Sequence, residues 1–209
     1  MPNICSATPI LSTKIKKTLK EFKEVWKSDA AVFEELCFCL LTPQSSAKQA
    51  MKAINFLRKN NLLTKGSAKE KEKFVKNVRF YITKAKRLEM IQEKFPQKTI
   101  KQMLIENGLP KDVTKCREFL VKEVNGYGYK EASHFLRNIG FYDEVAILDR
   151  HILKNLVKCQ IIKEIPKTLN KKMYLEIEDK MKQYCKKYKI DFAELDLIFW
   201  SNETGEVFK

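Results

Sequence analysis

Apolar residues recur at helical spacing through most of the chain. Ile15, Leu19, Phe22 and Trp26 fall at steps of four, three and four with lysines between them, which predicts a helix with one apolar face. Val32, Phe33, Leu36, Cys37, Leu40 and Leu41 crowd the same pattern, as expected of a central helix. Ala47, Ala50, Met51, Ile54 and Leu57 give a third stripe. Residues 62–73 read as a polar break before Phe74, Val78 and Tyr81. A helix over 84–95 carries Leu88, Met90 and Ile91 and is ended by Pro96, and Gly108 and Pro110 mark a loop over 107–113. Met173, Ile177, Met181 and Cys185 repeat at strict fours, and a short last helix is expected over 192–200 with residues 201–209 as a tail. No internal repeat or strand alternation of useful length is visible. The pattern predicts an all-α protein of about ten helices, and core packing accounts for every one of these stripes.

Composition narrows the class. The chain has 209 residues, 44% of them hydrophobic and 32% charged, enough apolar material for a real core, which excludes a disordered tail or low-complexity scaffold. The length suits one domain or two small lobes sharing a groove. Six glycines and six prolines are too few for a turn-dense β-sandwich or propeller. No apolar run reaches the roughly 18–20 residues of a membrane span, and the first residues lack a signal-peptide core. A cytoplasmic protein with no membrane partner is expected. The cysteines, Cys5, Cys37, Cys39, Cys116, Cys159 and Cys185, would then be reduced thiols. Cys37 and Cys39 diverge by about 200° on a helix, so buried structural thiols are favoured over metal ligands. Lys+Arg 41 against Asp+Glu 26 gives a net charge of +15. A basic surface gains affinity for nucleic acid by releasing counterions, although lysines that merely solvate helix faces would produce the same total.

One segment differs in kind. Over residues 113–140, Val113, Cys116, Phe119, Leu120 and Val124 outline one amphipathic helix, and Ala132, Phe135, Leu136 and Ile139 outline a second. Asn125-Gly126-Tyr127-Gly128 forms the turn between them. The two glycines allow close backbone approach and positive φ where required. Amides at the second helix's N-terminus then offer an anion site. This is a helix-hairpin-helix arrangement, suited to gripping a nucleic-acid backbone without reading sequence. A plain turn through glycine is the alternative.

Lys130 follows Gly128 by two residues, in the first turn of that second helix. The helix dipole disfavours a cation there, so a neutral amine would be available as a nucleophile, unless chance has placed one of many lysines at this spot. About twenty residues on, Ala146-Ile147-Leu148 leads into Asp149, just before another helix beginning at His151. Asp149 is either an N-cap or a carboxylate at a cleft floor that steadies a developing cation and moves a proton.

The run Asn125-Gly126-Tyr127-Gly128-Tyr129-Lys130 followed by Asp149 closely resembles the lysine-bearing, bifunctional branch of the helix-hairpin-helix DNA glycosylase superfamily. Leu41-Thr42-Pro43-Gln44-Ser45-Ser46 resembles the loop that this superfamily inserts toward a flipped-out site. Arg79-Phe80-Tyr81-Ile82-Thr83-Lys84-Ala85 is similar to its F-Y-x-x-K-A helix start. The chain has no four-cysteine cluster after residue 160, unlike the endonuclease-III-like branch. Its ending, from Trp200 to Lys209, resembles the type 2 (archaeal and bacterial) 8-oxoguanine DNA glycosylase/AP lyases.

The resemblance implies two helical subdomains flanking a DNA-binding cleft, one over 30–140 and the other made of 1–29 plus 141–209. It implies a monomer that takes double-stranded DNA containing 8-oxoguanine or an abasic site. Lys130 would attack C1′ of the sugar and expel the base, and β-elimination from the Schiff base would nick the strand. Asp149 would stabilise positive charge on the sugar and help deprotonate Lys130. Lys209 would recognise the base through the terminal carboxylate, with a frayed tail as the alternative. Trp200 and Phe80 would sandwich the base, although either could belong to the core. Gln44 would stand near the vacated stack or merely cap its loop. His134 would touch a DNA phosphate or simply pack. Gly126 and Gly128 would hold the backbone. No redox cofactor or catalytic metal is called for, with a monovalent cation on the hairpin carbonyls as an option. The competing readings are a glycosylase/lyase for oxidised pyrimidines and a non-catalytic DNA-binding module.

Overall fold

The computed structural model describes residues 8–94, 100–205 and 207. Among them lie eleven α-helices and no strand. The first is α1 (Pro9–Val25), started by the Thr8 side chain and Pro9. It is followed by α2 (Asp29–Leu41), α3 (Ala47–Lys59), α4 (Ala68–Val75), α5 (Tyr81–Lys94) and α6 (Ile100–Glu106). The hairpin consists of α7 (Val113–Glu123) and α8 (Tyr129–Asn138). The chain ends in α9 (Arg150–Lys158), α10 (Lys171–Tyr188) and α11 (Phe192–Thr204).

Most predicted stripes become buried faces, and α2 is enclosed on nearly every side, with Leu36, Cys37, Phe38, Cys39, Leu40 and Leu41 fully buried. Three departures have local causes. The polar break contains α4, because Ser67 and Glu70 form a reciprocal capping box that starts a helix among lysines. A short α6 precedes the loop at Gly108. The last helix runs to Thr204 before Gly205 ends it at φ +75°, so the first four residues of the expected tail are helical.

Three clusters make up the core. One runs from Val32 to Val145 and joins α2 to α8; the second runs from Ala146 to Phe199 around α9, α10 and α11. The third packs Ile15, Leu19 and Phe22 of α1 against Tyr142 and α11. Cys37, Cys39, Cys116 and Cys185 are buried free thiols, and burial pushes those of Cys116 and Cys185 up to about 12. Cys159 corrects the expectation of a full set of thiols, since it is disulfide-bonded. Cys5 lies outside the described residues. No helix among the described residues is long and apolar enough to cross a membrane.

Candidate active site

The hairpin is organised around a tyrosine plug. Tyr127 turns inward, its hydroxyl donates to the Leu36 carbonyl at 2.8 Å, and its ring meets Phe135 edge-on. Gly126 takes φ +97°, which favours glycine, and a Cβ there would come within 2.6 Å of Arg87 Nη1, so that side chain would have to shift. Gly128 differs from the expectation of positive φ. It is extended, at φ −106° and ψ −171°, and a Cβ would meet only Glu131 Oε2 at 3.3 Å. Its amide donates to that same carboxylate at 3.1 Å, which starts α8. Lys130 is then the second residue of α8, partly exposed, with Nζ 3.7 Å from Glu131 Oε1.

Asp149 is delivered by an extended segment pinned from α10. The Tyr174 hydroxyl donates to the Ala146 carbonyl at 2.6 Å and accepts from the Leu148 amide at 3.3 Å. Glu178 Oε2 accepts from the Ala146 amide at 2.7 Å. Glu178 is in turn gripped by Arg117 of α7 through two parallel bonds, Nη1 to Oε2 at 2.7 Å and Nη2 to Oε1 at 3.0 Å. Arg117 Nη1 also reaches Ser133 Oγ of α8 at 3.2 Å. Burial works against the Arg117 charge, but Glu178 outweighs it and holds the guanidinium above its ordinary range. The last link is local: Asp149 Oδ1 accepts from the Ile152 amide at 2.8 Å and caps α9.

Lys130 and Asp149 line one cleft of about 840 Å³. Residues 42–47 and Arg79 form one wall, α8 contributes Lys130, His134 and Arg137 to another, and Asp149, His151, Asp196 and Trp200 complete it. Gln44 stands in the first wall at φ +54°, exposed. His134 is 6% exposed, packs edge-on to Phe38 and also borders the cleft. Trp200 lies in the cleft with its ring edge-on to His151, centroids 5.3 Å apart. Phe80 is not core: it is 55% exposed at φ +59°, its ring carries the Arg79 guanidinium at 4.9 Å, and it is not among the residues lining the cleft. Lys209 lies outside the described residues.

Arg137, Asp196 and His151 escaped the sequence reading as cleft residues. Arg137 sits seven positions after Lys130 and three after His134, so helical spacing alone would have placed it on their face. Asp196 precedes Trp200 by four in α11. Its carboxyl is pushed up by burial; Arg137, with Nη1 3.7 Å away, opposes that, and Asp149 adds to it. His151, two residues after Asp149, has Nδ1 4.0 Å from Glu203 Oε2. The described residues contain no group of three His, Cys, Asp or Glu that could hold a metal ion. An amine, a carboxylate and an aromatic ring around one polar cleft, with a glycine turn just ahead of α8, suit attack on a sugar carbon next to a bound phosphodiester.

Comparison with known proteins agrees with this geometry. Over 202 residues, 95% of this chain and 93% of the relative, the sequence is 48% identical to the 8-oxoguanine DNA glycosylase/AP lyase of Fusobacterium nucleatum. The enzyme of the same name from Methanocaldococcus jannaschii is 41% identical over 198 residues, 93% of this chain and 91% of that one. The crystal structure of the M. jannaschii 8-oxoguanine glycosylase/lyase in complex with a 15mer DNA containing 8-oxoguanine superposes with a TM-score of 0.85 at 38% identity, covering 97% of this chain and 94% of that one. The Thermotoga maritima 8-oxoguanine DNA glycosylase superposes with a TM-score of 0.82 at 29% identity, covering 95% and 92%. The family model Ogg-HhH, 8-oxoguanine DNA glycosylase, matches residues 15–190, and the chain belongs to that family.

Proposed function

We propose that this protein excises 8-oxoguanine from duplex DNA through a Schiff base on Lys130 and then nicks the strand as an AP lyase. The observation that carries the reading is the meeting of Lys130 and Asp149, nineteen positions apart in sequence, in a single cleft next to the hairpin. The solved relative with 8-oxoguanine DNA supports the choice of lesion.

The damaged nucleotide is swung out of the stack into the cleft, because C1′ is out of reach inside a duplex. The hairpin amides and the N-terminal end of α8 take the neighbouring phosphates. The neutral Lys130 amine attacks C1′. The bond from C1′ to the base breaks, and the base leaves with the electron pair and is protonated. Asp149 steadies the positive charge that develops on the sugar and accepts a proton from the Lys130 nitrogen. The sugar ring then opens, O4′ leaving C1′ with its bonding pair and taking up a proton, which gives the iminium; loss of its C2′ proton expels the 3′ phosphate by β-elimination. Trp200 stacks on the extruded base, a contact worth roughly 1–3 kcal/mol. Gln44 and the rest of residues 42–47 face the gap left in the duplex.

Borohydride present during reaction with an 8-oxoguanine duplex traps the native chain as a covalent adduct and fails to trap Lys130→Gln. Absence of an adduct from the native chain refutes the reading and leaves a DNA-binding module. A thymine glycol duplex in the same assay tests the lesion: faster trapping there than on 8-oxoguanine would move the substrate to oxidised pyrimidines.

A further inference from the structure

Lys84 is a lysine where a surface pattern would place none. It lies in α5, its residue is 2% exposed, and its ammonium spends its protons on one short piece of chain. Nζ donates to the Leu41 carbonyl at 2.7 Å, to the Pro43 carbonyl at 2.7 Å and to Ser45 Oγ at 3.4 Å. Ser45 Oγ also accepts from the Arg79 amide at 2.9 Å. Pro43 and Ser45 belong to the cleft wall that carries Gln44 at φ +54°, and Leu41 leads into it. A non-glycine residue persists at positive φ only where its surroundings over-determine it, and three bonds to one cation provide that. The same helix places Arg87 against Gly126 of the hairpin, so α5 braces the loop wall with one side chain and the hairpin with another.

We infer that Lys84 is a positioning residue whose buried ammonium holds residues 42–46 in the shape that receives the strand at the lesion, an inference that rests on the proposed function for its lesion but not for its test. Only the charged form donates to all three; a neutral amine keeps two N–H groups for the two carbonyls, can only accept from Ser45 Oγ, and loses the charge that strengthens each bond. The charged groups that face Nζ are Lys130 and Glu131 from α8 and Arg87 from α5. Burial, then Lys130 and Arg87, push Lys84 down to about 8, with Glu131 opposing. The wall therefore loosens as pH rises through that value, while the lysines on the surface keep their charge.

The test is binding of a duplex with an uncleavable tetrahydrofuran abasic site, followed by anisotropy at pH 7 and pH 9.5, relative to an undamaged duplex. The native chain should lose about tenfold of its preference over that range, one decade being close to 1.4 kcal/mol. Lys84→Arg stays charged and should hold its preference flat, and Lys84→Met should be weak at both pH values. Lys84→Met with native preference at pH 7, or Lys84→Arg with the same alkaline loss as the native chain, overturns the inference. If Lys84→Met does not fold, the comparison of Lys84→Arg with the native chain decides alone. A failure of the glycosylase reading would appear separately, as absent borohydride trapping by the native chain.

Discussion

Removing Arg117 tests how Asp149 is held. Arg117 and Glu178 have side chains 1% and 5% exposed, and three strong bonds at 2.7, 3.0 and 2.7 Å converge on the Glu178 carboxylate from Arg117 and the Ala146 amide. Arg117→Met leaves that carboxylate buried with the Ala146 amide and a distant Lys182 Nζ at 4.0 Å. Stripping one partner from a buried pair costs about 3–5 kcal/mol, far above the value of any exposed pair on this surface. For a chain of this size each kcal/mol lowers Tm by roughly 2–4 °C, so a fall of roughly 6–20 °C is expected in a thermal melt followed by circular dichroism. Glu178→Leu should cost a similar amount, because it strands both the guanidinium and the Ala146 amide. The double variant Arg117→Met/Glu178→Leu removes both charges and should be more stable than the sum of the single losses allows. Single losses below ~1 kcal/mol, or strictly additive ones, would show that the pair clamps nothing. The functional arm uses Tyr174→Phe, which keeps the ring but drops the hydroxyl at the Ala146 carbonyl. It should lower kcat for excision with little change in KM, since the segment ahead of Asp149 loosens while the DNA contacts stay.

The remaining predictions concern the two loops that carry chemistry. Asp149→Asn should keep stability within ~0.5 kcal/mol, because Asn caps a helix as well as Asp, yet nearly abolish borohydride trapping; Asp149→Ala should add a stability loss of about 1 kcal/mol. An Asn variant that folds and is still trapped at the native rate would reduce Asp149 to a cap. Gly126→Ala should cost ~1–3 kcal/mol in a urea titration, through its positive φ and the Arg87 contact, and should weaken duplex binding. Gly128→Ala should be nearly silent in stability, since its backbone is extended and its Cβ meets only a carboxylate. The reverse order would mean that the hairpin is wrongly assigned.

The sequence was legible where one element explains itself. The stripe of α2, the steps of four in α10 and the glycine turn between α7 and α8 each follow from local spacing. Lys130 and Asp149 could be singled out because each breaks a local rule: a cation at a helix N-terminus, and an acid directly after buried apolar residues. The missed α4 was readable in principle, since Ser67 and Glu70 carry the spacing of a capping box; the surrounding lysines masked it. Arg117 and Glu178 were not readable. They stand 61 residues apart, and a lone charge on a helix looks like solvated surface until the partner's position is known. Lys84 hides for the same reason, because its acceptors are carbonyls 41 and 43 positions upstream.

Asp149 shows how an N-cap and the proposed catalytic carboxylate can be one side chain. A carboxylate has two oxygens, and the cap uses only one: Oδ1 accepts from the Ile152 amide, while the described residues give Oδ2 no hydrogen bond. The cap fixes the side-chain rotamer, so the second oxygen points to one place without further entropy cost on binding DNA. The start of α9 is also where the helix dipole complements a negative charge, the charge proposed to steady an oxocarbenium sugar. Asp196, close enough to feel the Asp149 charge, has its carboxyl pushed up by burial, with Arg137 opposing. A helix start is therefore a sensible address for this acid: the bonds that begin α9 also aim it, and any substitution that spares the cap while neutralising the charge separates the two contributions.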